Sequence, residues 1–129
     1  MNKKQATNLV EVWVRTGRVT LDIPKEVEQR REFLITLSEA VKPLAKARRT
    51  RVNIIIGQMY AASAGVSLQG FNTFDGWKEK GQRIKKGSVG FPIWKKSGKT
   101  GKDDHGQLIS YVFSEKQVFP INWKRKARR

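Results

Sequence analysis

Residues 73–96 read TFDGWKEKGQRIKKGSVGFPIWKK. This stretch predicts a helix, a turn and a strand, against which the other predicted elements pack. Thr73 is a preferred helix N-cap residue and Gly81 is placed to end a helix, so a short helix is predicted between them. Phe74 and Trp77 are three residues apart and share a face of that helix. We therefore expect both aromatic side chains to anchor the helix to the core.

A basic Lys-Lys-Gly-Ser sequence follows this helix and is typical of a turn, after which a strand is predicted over residues 89–96. Pro92 has no backbone N–H, which favours an edge strand or a bulge. Alternate residues of a strand lie on opposite faces, so Phe91 and Ile93 share one face and Trp94 lies on the other. We expect Phe91 and Ile93 to be buried and Trp94 to be exposed.

The sequence before this stretch predicts a hairpin and two helices. Residues 9–23 alternate apolar and polar side chains on either side of an Arg-Thr-Gly-Arg turn, which is the pattern of a β-hairpin with one buried face. An amphipathic pattern predicts a helix over residues 24–41, which Pro43 should end or kink. Asn53 is expected to cap an almost wholly apolar core helix that ends at Gly65.

The sequence after the opening stretch predicts a second hairpin. Residues 97–107 contain three glycines and no apolar residue, as in a hairpin loop, and residues 108–113 return as a strand. The expected fold class is α+β, with a small antiparallel sheet, formed by the N-terminal hairpin plus the C-terminal hairpin, packed with three helices. We assign residues 1–120 to a single domain and residues 121–129 to a flexible basic tail.

Charge is the strongest compositional signal. The 129 residues contain 27 Lys and Arg against 11 Asp and Glu, which gives a formal net charge of +16 and a pI of about 10.6. Such an excess favours a polyanionic partner bound through phosphate contacts and counterion release, with nucleic acid as the leading candidate. No long apolar run or basic amphipathic helix predicts membrane binding, and the N-terminus lacks a signal-peptide pattern, so we expect a cytoplasmic protein.

Residue types that support catalysis are scarce. The chain has no cysteine, which excludes disulfides, thiolate zinc sites and cysteine nucleophiles. Its single histidine, His105, lies in the glycine-rich loop beside two aspartates, and no HExxH, GxSxG or Walker phosphate motif occurs. We expect no enzymatic activity, no metal and no cofactor. A nuclease built from Asp and Glu alone is the remaining enzymatic alternative.

The combination of cations and aromatic residues fits a protein that binds single-stranded DNA with little sequence preference. Such proteins hold the phosphate backbone in a cationic groove and stack bases on exposed aromatic rings. A basic protein-binding module that contacts a host factor, and an RNA-binding protein, are the alternatives that the residues leave open. The candidate nucleic-acid contacts are Arg48, Arg49, Arg51, Lys78, Lys80, Arg83, Lys85, Lys86, Trp94, Lys95, Lys96, Tyr111, Lys124, Arg125 and Lys126.

Two motifs in the second half of the sequence are distinctive. The run TFxxWKExGxxIKKG begins at Thr73, and a downstream YVF begins at Tyr111. With these motifs, residues 48–119 resemble the N-terminal domain of the ArdC-type antirestriction proteins, which plasmids and other mobile elements carry. Further positions that match the family pattern are Arg51, Asn53, Gly65, Gly90 and Gln117.

The resemblance implies an α/β module that binds single-stranded DNA and serves a plasmid, a phage or another mobile element. Three features depart from the family pattern. Ser114 stands where asparagine is usual, the hairpin expected in the first 50 residues has no counterpart, and the metallopeptidase-like domain with HExxH that often follows is absent from these 129 residues. The resemblance therefore implies DNA binding more directly than antirestriction activity.

Overall fold

The computed structural model describes residues 1–95 and 109–121, and the chain is α+β, as predicted. The helices of these residues are α1 (Lys3–Thr16), α2 (Val27–Ala47), α3 (Val52–Ala64) and α4 (Phe74–Glu79). The strands are β1 (Phe71–Thr73), β2 (Gln82–Ile84), β3 (Phe91–Trp94), β4 (Ile109–Ser114) and β5 (Val118–Pro120). None of these four helices is long and apolar enough to cross a membrane.

The strands form two small antiparallel sheets. In the first sheet β4 lies between β1 and β3, and in the second β2 pairs with β5. The predicted C-terminal hairpin is present as β3 and β4, with Trp94 opposite Ile109. The pairing of β2 with β5, in which Arg83 lies opposite Phe119, was not expected from the sequence.

The predicted N-terminal hairpin over residues 9–23 is wrong, because its first arm lies inside α1. Asn2 caps this helix, since its side chain accepts a hydrogen bond of 2.8 Å from the backbone N–H three residues on. Val10 is buried, but Val12 and Val14 are 38% and 49% exposed, as the 3.6-residue period of a helix requires. The alternation of three valines therefore mimicked a strand within a helix.

The second arm of the predicted hairpin is extended but pairs with no strand of the described residues. Val19 and Leu21 are buried while Thr20 and Asp22 are exposed, so the predicted alternation is present. The backbone N–H of Leu21 donates to the hydroxyl of Ser63 on α3 (2.9 Å) rather than to a neighbouring strand. The segment between α1 and α2 is thus a connection that packs on the helices.

The α2 helix continues past Pro43 to Ala47, so the predicted end at Val41 is wrong, and of the two predicted effects of Pro43 the termination of the helix does not occur. A proline removes the hydrogen bond to the carbonyl four residues earlier, here that of Glu39. Both Pro43 and Glu39 are exposed, where water can take the place of the missing donor. Val41 and Ala45 are buried on the other side, and their packing keeps the last turn helical.

The core lies between α2 and α3, and α1 packs against α2. The α3 helix is apolar almost all round, as predicted, and its Tyr60 is completely buried. Burying one large apolar side chain contributes about 1.5–3 kcal/mol, so this helix pair is a main source of stability. The side chains with at most 1% exposure include Leu34, Leu37, Val41, Ile55, Ile56, Met59 and Tyr60.

The outer edge of β3 is closed by two side chains of α3. The Tyr60 hydroxyl donates to the Pro92 carbonyl (2.6 Å), and Pro92 has no N–H to leave unpaired. The Asn53 side chain donates to the Trp94 carbonyl (2.7 Å) and accepts from the Trp94 N–H (3.1 Å). Pro92 therefore lies on an edge strand, as predicted. Asn53 is not the predicted N-cap, a position that Arg51 occupies.

The variant Y60F should lower the free energy of unfolding by about 1–2 kcal/mol, because the buried Pro92 carbonyl would lose its donor. Burial raises the pKa of Tyr60 well above its ordinary value of about 10, so the hydroxyl stays protonated in the folded protein. The bond is therefore fully present below about pH 10, and the unfolded state gains from ionisation above that pH. Urea unfolding should show a difference between wild type and Y60F that narrows as the pH rises above about 10.

Candidate nucleic-acid interface

The connection between α2 and α3 carries three exposed arginines, Arg48, Arg49 and Arg51. It closes α2 through a hydrogen bond from the Thr50 N–H to the Ala45 carbonyl (2.9 Å). Arg49 has a φ of 53°, the left-handed conformation that glycine usually supplies at such helix ends. An arginine in this conformation costs on the order of 1 kcal/mol relative to glycine. The position is therefore occupied by a charged residue although glycine would suit the backbone better.

Lys95 joins these arginines because of the contact between Asn53 and Trp94. Asn53 is the second residue of α3, and its side chain binds both backbone groups of Trp94. The next residue, Lys95, is exposed and is therefore held beside the N-terminal end of α3. We call this surface the turn patch, and it consists of Arg48, Arg49, Arg51 and Lys95.

One arginine of the turn patch is ordered by an aromatic ring of α1. The guanidinium carbon of Arg48 lies 5.5 Å from the ring centroid of Trp13. Trp13 is half-buried and packs against the core, so the ring offers a fixed surface. A cation–π contact at an exposed site contributes about 0.5–1 kcal/mol. It positions the guanidinium without neutralising its charge.

A second basic surface lies on α4, β2 and the turn that follows them. Thr73 caps α4 by accepting a 3.0 Å hydrogen bond from the backbone three residues on, and Gly81 has a φ of 76° just after the helix, both as predicted. The predicted turn is closed by the Ser88 N–H, which donates across it (3.1 Å), with Gly87 at a φ of 84°. The exposed cations of this α4–β2 patch are Lys78, Lys80, Arg83, Lys85 and Lys86.

The two basic patches lie at opposite ends of α3. The turn patch is at the N-terminal end, where Arg51 is the N-cap residue. At the C-terminal end, the Lys116 ammonium donates to the Ala64 carbonyl (3.1 Å), and the Lys85 ammonium donates to the Lys116 carbonyl (3.2 Å). Because α3 has 13 residues, the patches are about 20 Å apart. The cations predicted to form one groove are thus divided between two surfaces.

The prediction that Trp94 is exposed is wrong, because α2 packs on the Trp94 side chain. The indole N–H of Trp94 donates to the Ser38 hydroxyl on α2 (2.7 Å), and the ring is half-buried against the core. Phe91, on the opposite face, contacts the Tyr60 ring of α3 with a centroid distance of 5.0 Å. As the edge strand, β3 lies between α2 and α3. Trp94 is therefore tied to the core and does not present a free stacking surface.

Phe74 is a second aromatic residue whose exposure was predicted wrongly. It was expected to anchor α4, but it is 56% exposed and is the one exposed aromatic residue within 1–95 and 109–121. Trp77 alone anchors the helix, since it is buried and its indole N–H donates to the Phe113 carbonyl (2.8 Å). Phe74 shares a helix face with Lys78, four residues later. That spacing is the sequence signal that could have placed Phe74 on the basic surface.

The remaining predicted contacts are less accessible or lie elsewhere. Tyr111 is half-buried, and the guanidinium carbon of Arg30 lies 4.6 Å from its ring centroid. The N–H of Ile121, the last described residue, donates to the Gly81 carbonyl (2.8 Å), so the chain leaves the described part beside the α4–β2 patch. The predicted contacts outside the described residues are Lys96, Lys124, Arg125 and Lys126.

Other signs of function are few in the part of the chain that the structure describes. No group of three or more His, Cys, Asp or Glu side chains in it is arranged to hold a metal ion. Comparisons with protein-family models, with curated proteins and with solved structures found no match. The resemblance to the ArdC-type domain stays a prediction. Among the described residues, the two basic patches and the exposed ring of Phe74 are the features suited to contact a nucleic acid.

Proposed function

We propose that the protein binds single-stranded DNA with little sequence preference, in the cytoplasm of a cell that carries a plasmid, phage or other mobile element. In this proposal the phosphate backbone is held on the turn patch and the α4–β2 patch, and a base stacks on Phe74. The observation that carries it is an exposed phenylalanine one helical turn from Lys78, on the surface of a chain with a net charge of +16.

The two patches supply the electrostatic part of binding. The turn patch has four exposed cations and the α4–β2 patch has five. Phosphates that contact them release condensed counterions, which favours association at low salt and makes it strongly salt-dependent. Stacked nucleotides rise about 3.4 Å each along a strand, so about six of them would cover the 20 Å or so between the patches. One short strand can therefore reach both patches.

The aromatic contact favours a single strand over a duplex. An exposed ring can stack on a base only when that base is not already stacked inside a duplex. Reading duplex DNA usually requires a helix that lies along the major groove. The helix of the basic surface, α4, has only six residues and contains Gly76, which makes it a poor groove reader.

The variant F74A should weaken binding to single-stranded DNA by about tenfold, because one base stacked on an aromatic ring contributes about 1–3 kcal/mol. The melting temperature should change little, since most of the Phe74 side chain is already in water. Fluorescence anisotropy with a labelled decamer measures the affinity, and differential scanning fluorimetry measures the melting temperature.

Two matched variants make this result specific. F74W keeps an aromatic surface and should retain the affinity of the wild type. V27A removes an apolar side chain that is 63% exposed at the start of α2, outside both patches, and should leave the affinity unchanged. Equal losses in F74A and V27A would contradict a stacking role for Phe74.

A competition assay distinguishes the partners. Unlabelled single-stranded DNA and unlabelled duplex DNA of equal length each compete for the protein with a labelled single strand. The single-stranded competitor should displace the labelled strand at a concentration about tenfold lower than the duplex does. RNA of the same length and sequence tests the alternative that the family resemblance disfavours. Equal competition by single strands and duplex would overturn the proposal, and stronger competition by RNA would replace DNA with RNA.

We further propose that the protein binds the strand without cutting it. A labelled strand incubated with the protein and magnesium ions should keep its full length on a denaturing gel. Shortened products that depend on both the protein and the metal would make it a nuclease and overturn this part of the proposal.

A further inference from the structure

Arg30 is positioned on α2 by the helix face that packs on the first sheet. Arg30, Leu34 and Ser38 are spaced by four residues and share a face. Ser38 accepts the hydrogen bond from Trp94, and the Arg30 guanidinium lies over the Tyr111 ring of β4 at 4.6 Å. This face therefore places a half-buried arginine on an aromatic ring of the sheet.

The Arg30 guanidinium lies over the Tyr111 ring, and its buried Nε makes no hydrogen bond within the described part of the chain. A buried donor without a partner is costly, and a charged one is more so. Stacking on Tyr111 offsets part of this cost by attraction to the face of the ring. The positive charge of the guanidinium plane is thus retained at a half-buried position.

We propose that Arg30, stacked on Tyr111, is a second platform for a base of the bound strand, which lies against the accessible part of the guanidinium plane. The inference rests on the proposed function and adds a contact that the sequence did not indicate. Guanidinium planes are established surfaces for stacking unpaired bases. A ring below the plane fixes its orientation before the strand arrives, which lowers the entropy lost on binding.

The surroundings of Arg30 favour a base over a phosphate as its ligand. Glu26, four residues before Arg30, is an exposed carboxylate on the same helix face, whereas the turn patch and the α4–β2 patch are dominated by cations. A phosphate would be repelled by this carboxylate and gains more at the patches. A base carries no charge, so it can stack on the guanidinium without that repulsion.

The test compares an adenine decamer with an abasic strand of the same length, which keeps every phosphate but offers no base. Wild-type protein should bind the adenine decamer more tightly. In R30K, which keeps the charge but loses the planar group, this preference should fall by about fivefold. The affinity for the abasic strand should change by less than about twofold, because the charge remains. R15K makes the same exchange at an exposed position of α1, outside the platform and both patches, and should keep the wild-type preference.

A measurement on the wild-type protein tests the same contact without requiring that R30K folds. The Nε–H resonance of Arg30 in a nitrogen-15 spectrum should shift on addition of the adenine decamer and stay in place with the abasic strand. An unchanged base preference in folded R30K, or equal shifts with both strands, would overturn the platform. If the wild-type protein bound neither strand, the proposed function itself would be overturned, which is a separate outcome.

Discussion

At low salt the triple variant R48Q/R49Q/R51Q is expected to bind a single-stranded DNA decamer on the order of 100-fold more weakly than the wild-type protein. In the proposed complex each arginine contacts a phosphate, and each lost contact removes a released counterion. The slope of log affinity against log salt should become shallower by about two, since each phosphate contact on a single strand contributes about 0.7. Fluorescence anisotropy over a salt series gives both quantities.

A control variant distinguishes the loss of contacts at the turn patch from the effect of a lower net charge. K3Q/K4Q/K25Q removes the same number of charges from exposed positions in α1 and the segment before α2, which belong to neither patch. It should weaken binding by less than about tenfold, through the long-range field alone. Equal losses in the two triple variants would mean that the turn patch is not a contact surface.

The variant N53A is expected to lower the free energy of unfolding by about 3 kcal/mol, the largest stability effect that we predict for one polar side chain. It leaves both the N–H and the carbonyl of Trp94 without partners, at a partly buried edge of β3. Each unsatisfied backbone group costs about 1–3 kcal/mol when water cannot replace the lost partner. Urea unfolding monitored by tryptophan fluorescence measures the change.

N53D provides the matched comparison for this position. It keeps the oxygen that accepts from the Trp94 N–H but loses the donor to the Trp94 carbonyl. Because its second carboxylate oxygen would face the Trp94 carbonyl, and its charge would be partly buried, its free energy of unfolding should be at least as low as that of N53A. A loss below about 0.5 kcal/mol in N53A would show that Asn53 does not hold the strand edge, and with it Lys95, against α3.

Local chemistry predicted the region around α4 well because each signal there acts over a few residues. A threonine cap, a glycine stop and a basic turn with a left-handed glycine are decided by neighbouring backbone groups. Thr73, Gly81 and Gly87 accordingly have the predicted roles. Pro92 was informative for a similar reason, since a missing N–H restricts a strand to an edge whatever packs on it.

Several predictions that depended on distant partners were wrong. The alternating valines of α1 look the same in a strand and in a helix, and the deciding signals were the cap at Asn2 and the helical spacing of Ala6, Val10 and Trp13. Asn53 resembles a cap in sequence, yet its partner is the backbone of Trp94. No pattern near residue 53 points to a strand edge that is about 40 residues away in the chain.

The candidate site was predicted in part. The described cations that were assigned to the surface by charge are exposed, because burying an unpaired charge is too costly for any fold. The predicted exposure of two aromatic residues was the reverse of the observed exposure. Trp94 packs against α2, whereas Phe74 lies in solvent. Which ring is covered depends on where whole helices lie, and the spacing of residues within one strand does not contain that information.

The most direct test of the central proposal is the salt dependence of wild-type binding to a labelled single-stranded DNA. If about six phosphates contact the two patches, log affinity should fall with log salt with a slope of about −4. Base stacking should leave measurable binding at moderate salt, because it does not depend on counterion release. A slope shallower than about −1 would contradict the proposal that two basic patches hold the strand.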